Sequence, residues 1–271
     1  MKKLLILLLL LTISSAEFVI EQVDVTISDI GADGSAKVHE NIKMITYGDH
    51  SNSVYDSGIT NNRLSFWSNS TGLKDVKIHV NPALVDIRDF RLRPQPRSKC
   101  NPIQGICHGE LILDYWAYPA FENDTVVEDT GLFEVDQYKP RTRRYTINPA
   151  ALAFTKTPED NIVLEKHVYF TVELPTDSIT LDVNPLPEEE ELDLPTHISQ
   201  LSWNDVVLVK LSLVFDVEGS IDEEVTDFFS NIAKGISSTL SSPHGLPLIG
   251  LLVLVVGSYL YIIMAKRRGE E

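Results

Sequence analysis

Histidine, carboxylate and hydroxyl side chains come first, because their spacing decides whether a chain can do acid–base or metal chemistry. His39 opens the run HENIK, which begins like the zinc-protease pattern His-Glu-x-x-His. That pattern needs a second histidine four residues on along a helix, and Lys43 stands there in a strand-like stretch. The 7 histidines are scattered and no two have ligand spacing. Asp29 and Asp33 in SDIGADGS lack the intervening oxygen ligand of a calcium loop, and a hairpin turn accounts for them. Glu188 to Glu191 repel one another and read as a solvated loop. Neither a Gly-x-Ser-x-Gly turn nor a glycine-rich phosphate cradle occurs, and Ser, His and Asp without spacing do not make a triad. The chain therefore reads as non-enzymatic, with no catalytic residue, no metal ligand and no cofactor.

Two charged features remain. Glu40 falls in phase with Val38 and Ile42 on the apolar side of its strand, where a lone carboxylate would cost several kcal/mol, on the order of 2–7, unless paired. Either an arginine meets it or that strand end is exposed. Basic residues also gather in two groups, Arg88, Arg91, Arg93, Arg97 and Lys99, then Lys139, Arg141, Arg143 and Arg144. On one face these would make a basic patch suited to an acidic glycan or to a protein partner. Internal charge balancing is the alternative.

The elements that must position these residues are strands. Val23, Val25 and Ile27 alternate, a turn follows at Asp33 and Gly34, and Ala36, Val38, Ile42 and Met44 resume the alternation, which predicts an antiparallel hairpin. Further strands are expected at RLSFWS from Arg63, DVKIHV from Asp75, LVDIRDFRL from Leu84, ELILDYWAY from Glu110, LFEVDQY from Leu132, RRYTI from Arg143, EKHVYFTVEL from Glu165 and SITLDV from Ser178. The longest is expected to run unbroken through Val207, Val209, Leu211, Leu213, Phe215 and Val217. Many short strands between turn residues predict a mainly β fold, a β-sandwich of one large or two small units, with halves at 17–121 and 122–219. A crossing is expected over Ala120 to Thr130, and the Pro-rich acidic stretch NPLPEEEELDLPTHI is a loop. From Ser220 the period changes: a capping box with Glu223 and a stripe of Val225, Phe228, Phe229, Ile232, Ile236 and Leu240 predict an amphipathic helix over 220–242.

Both ends are apolar. Residues 1–16 combine two lysines, a leucine-rich core and small residues at Ser14 and Ala16, the layout of a cleavable export signal. Residues 246–265 carry no charge, and at about 1.5 Å per residue they reach the roughly 30 Å of a bilayer's hydrocarbon core. Lys266, Arg267 and Arg268 follow and keep the tail, 266–271, on the cytoplasmic side. The expected topology is type I, with the lipid bilayer as one partner and the body outside the cell.

Without the signal and tail, the 23 basic residues lose Lys2, Lys3, Lys266, Arg267 and Arg268 to leave 18. The 39 acidic residues lose Glu270 and Glu271 to leave 37. A net charge of about −19 repels nucleic acid and anionic lipid at long range. Cys100 and Cys107 are the 2 cysteines of the chain, and in an oxidising compartment they are expected to close a short disulfide loop. Asn69 in NST and Asn123 in NDT fit the glycosylation acceptor pattern.

At VDVTISDIGADGSAKVHENIKM, and again from VELPTDSITLDVNPLP to LSWNDVVLVKLSLVF, the chain resembles the ectodomains of uncharacterised, largely archaeal, single-span surface proteins. The resemblance implies a β-rich exported domain and carries over no catalytic residue. The C-terminal end also looks like the tails that surface transpeptidases remove, but LPLIG has Ile249 where the sorting motif needs Thr. Together these readings lead to a surface protein acting in structure or recognition. An accessory subunit of a membrane complex, docking through the 220–242 helix, and an exported hydrolase with a site assembled from distant residues are the alternatives.

Overall fold

The computed structural model describes residues 17–122, 125–139, 141–187 and 194–219. Within them the chain runs β1 (Glu17–Ser28), β2 (Ala36–Tyr47), α1 (Gly48–Gly58), α2 (Leu64–Thr71), β3 (Asp86–Asn101), β4 (Ile106–Tyr118), β5 (Phe121–Glu122), β6 (Thr125–Val126), β7 (Phe133–Lys139), β8 (Thr142–Ile147), a 3-10 turn (Pro149–Ala151), β9 (Thr155–Lys156), β10 (Ile162–Val163), β11 (Val168–Glu173), β12 (Ser178–Asn184), β13 (Gln200–Asn204), β14 (Val207–Leu208) and β15 (Ser212–Glu218). The fold is mainly β. A six-stranded sheet has the order β13-β11-β1-β2-β4-β3, and a four-stranded sheet the order β12-β15-β8-β7. Two small ribbons, β14-β10-β9 and β5-β6, complete the pairing.

The first hairpin forms as its alternation dictates, with Val23, Val25 and Ile27 of β1 facing Ile42, Glu40 and Val38 of β2. A register shift between Ile20 and Gln22 puts Phe18 on the buried side with the odd-numbered residues that follow, as a bulge does. β11 then adds to β1 in parallel and β13 adds to β11, so strands from both sides of residue 122 are hydrogen-bonded into one sheet. One continuous core draws on both large sheets: Val25, Ile42, Leu113 and Phe170 from the six-stranded sheet, Phe133, Tyr145, Leu213 and Phe215 from the four-stranded one. Burying each such side chain contributes roughly 1.5–3 kcal/mol.

Three expectations are corrected. The stretch RLSFWS lies in α2, which ends at Gly72 with φ 66°, a left-handed stop. Its alternation of Leu64 and Phe66 mimics a strand, but Trp67 and Thr71, four apart, are the residues that the helix buries. The stretch DVKIHV is turn and bend with an isolated bridge from Val80 to Leu152. There the amide of His79 donates to the Glu40 carboxylate instead of joining a ladder. The long strand from Val207 is broken after Leu208: Lys210 has φ 50°, and the Asn184 side-chain amide ties down the carbonyls of Val209 and Lys210. Leu208 is buried before that corner and Leu211, Leu213 and Phe215 after it, so the parity of the buried face flips there.

Among the described residues no helix is long and apolar enough to cross a membrane. Asn123, the run Glu188 to Glu191 and the segments expected to be an export signal (1–16), an amphipathic helix (220–242), a membrane span (246–265) and a tail with Lys266, Arg267 and Arg268 lie outside the described residues.

Candidate functional site: the two faces of one sheet

The two faces of β2, β4 and β3 carry two polar constellations of opposite character. On the inner face Glu40 is fully buried, and so, within 1 %, are His79 and Tyr115. Glu40 Oε1 accepts from the His79 amide at 2.9 Å and from the Tyr115 hydroxyl at 2.5 Å, while Oε2 meets His79 Nδ1 at 2.7 Å. Burial, reinforced by the adjacent Glu40 carboxylate, pushes the Tyr115 hydroxyl well above the usual tyrosine range. Phe154 packs against the His79 ring at a tilt, with centroids 5.3 Å apart. The expectation of an arginine partner for Glu40 is therefore wrong. Arg88, Arg91 and Arg93 sit opposite Trp116, Asp114 and Ile112 of β4, on the outer face, and cannot reach a carboxylate on the inner one. Closed to solvent, the Glu40–His79–Tyr115 cluster ties the 73–85 segment to the sheet.

A bulge decides what the outer face displays. Arg88 and Arg91 are three apart, a spacing that would place them on opposite faces of a regular strand. The register shift between them, with Asp89 at φ 53°, absorbs one residue and keeps both outward. His39 of β2 lies directly opposite Asp114 of β4, which lies opposite Arg91 of β3. Asp114 accepts from His39 Nδ1 at 2.8 Å and is ion-paired with Arg93. Partial burial pushes the Asp114 carboxyl up, but the bonds from His39 and Arg93 outweigh it and hold the group below its ordinary range. The row continues through Asn41, which donates to Glu110 at 2.6 Å, and Lys43, which meets Asp24 at 3.1 Å.

Further along β4 the same face turns aromatic. Trp116 and Tyr118 have ring centroids 6.1 Å apart, and the Arg88 guanidinium lies 4.6 Å over the Tyr118 ring while also holding Asp86. Arg91 is exposed and makes no ion pair among the described residues. Aromatic side chains on the same face as an exposed guanidinium are a chemistry for packing against a sugar ring and capturing a carboxylate.

The other predicted basic residues go elsewhere. Arg97 lies beyond a second register shift and turns to α1, where it makes a two-pronged pair with Asp56 at 2.7 and 2.5 Å. That pair holds the Asp56 carboxyl below its ordinary range. Arg144 of β8 pairs with Asp216 at 2.8 and 2.9 Å and covers the Tyr138 ring, and Arg141 approaches Glu218 at 3.7 Å. Arg143 also belongs to β8, in the four-stranded sheet. The two basic groups thus belong to different sheets, and several of their members balance carboxylates of their own sheet.

Cys100 and Cys107 form the expected disulfide, clamping the β3–β4 hairpin around a tip where Ile103 is 94 % exposed. Arg97 Nη1 donates to Cys107 Sγ at 2.8 Å. Asn69 is exposed on the last turn of α2. Among the described residues no three His, Cys, Asp or Glu side chains converge as metal ligands.

α1 escaped sequence reasoning, since Gly, Ser, Asn and Asp fill it and its helical pattern is faint. Tyr55, its one large buried side chain, lies against Gly109 of β4, where any Cβ would collide with the ring. The outer row was detectable in principle, because Asp114, Trp116 and Tyr118 share a parity opposite to Leu111, Leu113 and Tyr115.

Comparison with known families finds no model that matches this chain, and comparison with characterised proteins finds no matching sequence.

Proposed function

We propose that this chain is a non-enzymatic type I membrane protein that displays a β-sandwich ectodomain for surface structure or recognition. In this reading residues 1–16 direct export, residues 246–265 anchor the chain in the lipid bilayer, and the six- and four-stranded sheets are the two layers of the sandwich. The likeness to archaeal-type single-span surface proteins points the same way. The outer face of the six-stranded sheet is the recognition surface, and an acidic glycan is the ligand class that its chemistry fits.

One observation carries the recognition role: exposed Arg91 stands unpaired among the described residues, on the face that also presents Trp116, Tyr118 and Arg88. The ionisable cluster of the inner face is sealed, so of this sheet's two faces the outer one carries the groups able to meet an external molecule. A charge near −19 on the part without signal and tail opposes long-range attraction of a polyanion, which leaves short-range pairing and stacking to supply affinity.

The test uses full-length protein in mild detergent, with polygalacturonate and neutral dextran as probes. Retention of polygalacturonate is expected, with Arg91→Ala and Trp116→Ala each weakening it about fivefold or more, in line with the loss of one charge-assisted contact. Equal retention by both variants, or retention of neither polymer, removes the sheet face as a glycan site.

A further inference from the structure

We propose that the Cys100–Cys107 disulfide is a thiol–disulfide exchange site, in which an external aliphatic thiol attacks Cys100 and Cys107 is the leaving sulfur. The two cysteines differ in the properties that exchange depends on. Cys100 is exposed and Cys107 is 4 % exposed, so an incoming thiol meets Cys100 first. The Arg97 guanidinium lies 2.8 Å from Cys107 Sγ and 3.9 Å from Cys100 Sγ, so its charge favours negative charge on Cys107. A thiol beside arginine loses its proton more readily, and a less basic thiolate leaves faster. Burial of Cys107 works the other way, and the direct N–H donation from Arg97 is what offsets it.

Arg97 is not free to swing away. Asp56 grips Nε and Nη2, which leaves Nη1 aimed at the sulfur, and the same pair keeps the guanidinium protonated. Both cysteines are among the residues lining an open cleft shared with Asp49, Asn52, Ser53 and Gly105, which gives a small thiol a path to exposed Cys100. The hairpin does not depend on the bond alone, since β3 and β4 pair on either side of the disulfide, Ser98 with His108 and Asn101 with Ile106.

In the first step a thiolate RS⁻ bonds to Cys100 Sγ, the Cys100–Cys107 bond breaks, and its electron pair passes to Cys107 as thiolate. In the second step another RS⁻ attacks the external sulfur of the mixed disulfide, releasing Cys100 thiolate and RSSR. Two thiols supply the two electrons, and the protons they lose are available to Cys100 and Cys107.

The experiment uses oxidised full-length protein in mild detergent with reduced glutathione as the thiol, an alkylating quench and peptide mass spectrometry. The expected product carries glutathione on Cys100 and the alkyl label on Cys107. Arg97→Met should slow its formation roughly three- to tenfold, while Arg97→Lys, which keeps the charge, recovers most of the rate. Cys100→Ser provides an independent readout, because the pH dependence of Cys107 alkylation should then give a pKa below the ordinary value of about 8.5. Glutathione found on Cys107, a rate indifferent to Arg97→Met, or a Cys107 that titrates at or above about 8.5 would each overturn the proposal.

Discussion

Glu40 shows how far a single residue can be read from its neighbours in the chain. Its phase with Val38 and Ile42 announces a buried carboxylate, and it is buried. Its partners could not be read, because His79 lies 39 residues away in an irregular segment and Tyr115 comes from a strand 75 residues on. Glu40→Ala strands the His79 amide, its Nδ1 and the Tyr115 hydroxyl, and is expected to cost about 3 kcal/mol or more, since each unsatisfied buried group costs roughly 1–3 kcal/mol. Glu40→Gln keeps one acceptor and should lose less. Urea midpoints compare the two, and an Ala variant as stable as the parent would show that the cluster does not hold the 73–85 segment.

Tyr55 makes a second prediction at this scale. Its hydroxyl donates toward the carbonyls of Gln95 and Glu110 and accepts from the Glu110 amide, and burial pushes its pKa up to about 12. The folded state therefore binds this proton more tightly than the unfolded chain, whose tyrosine titrates near about 10. The stabilisation is fully present below about pH 10 and is lost as pH rises toward 12. Tyr55→Phe should be less stable at neutral pH by about 1–3 kcal/mol and should show a smaller loss between pH 10 and 12 in alkaline denaturation.

Between elements, the deciding features are small interruptions. The shift at Asp89 keeps Arg88 and Arg91 on one face, and the corner at Lys210 flips the buried face between β14 and β15. Neither interruption leaves an apolar signal, which is why the strand from Val207 reads as continuous in sequence. The strands whose alternation is uninterrupted, β2 and β4, are the ones the pattern places well, as it does β1 beyond its bulge at Ile20 and Gln22. α1 and α2 were lost for different reasons: one is too polar to show a stripe, and the other carries an alternation that imitates a strand. The seat of α1 against β4 is a close approach at Gly109, which only a residue without Cβ allows. Gly109→Ala should displace the Tyr55 ring and cost about 1–3 kcal/mol by overpacking, measured as a shifted thermal midpoint. An unchanged midpoint would mean that α1 is free to move off the sheet.

For the molecule as a whole, composition and ends carry the functional account. Alternation and turn residues made the mainly β fold legible, and cysteine count made the disulfide legible. The outer face proposed for recognition was not, because it depends on which strands become neighbours: β2, β4 and β3 are brought together out of chain order, across the two helices. Its proposed role requires the sheet body to stand outside the cell, held by the apolar C-terminal segment. The direct measurement is protease added to intact cells that carry the full-length chain with a tag after Glu271. Cleavage of the body without lysis, leaving a short tagged membrane fragment, is the outcome expected. A body that stays whole until the cells are broken open would contradict surface display, and with it the recognition role of the Arg91 face.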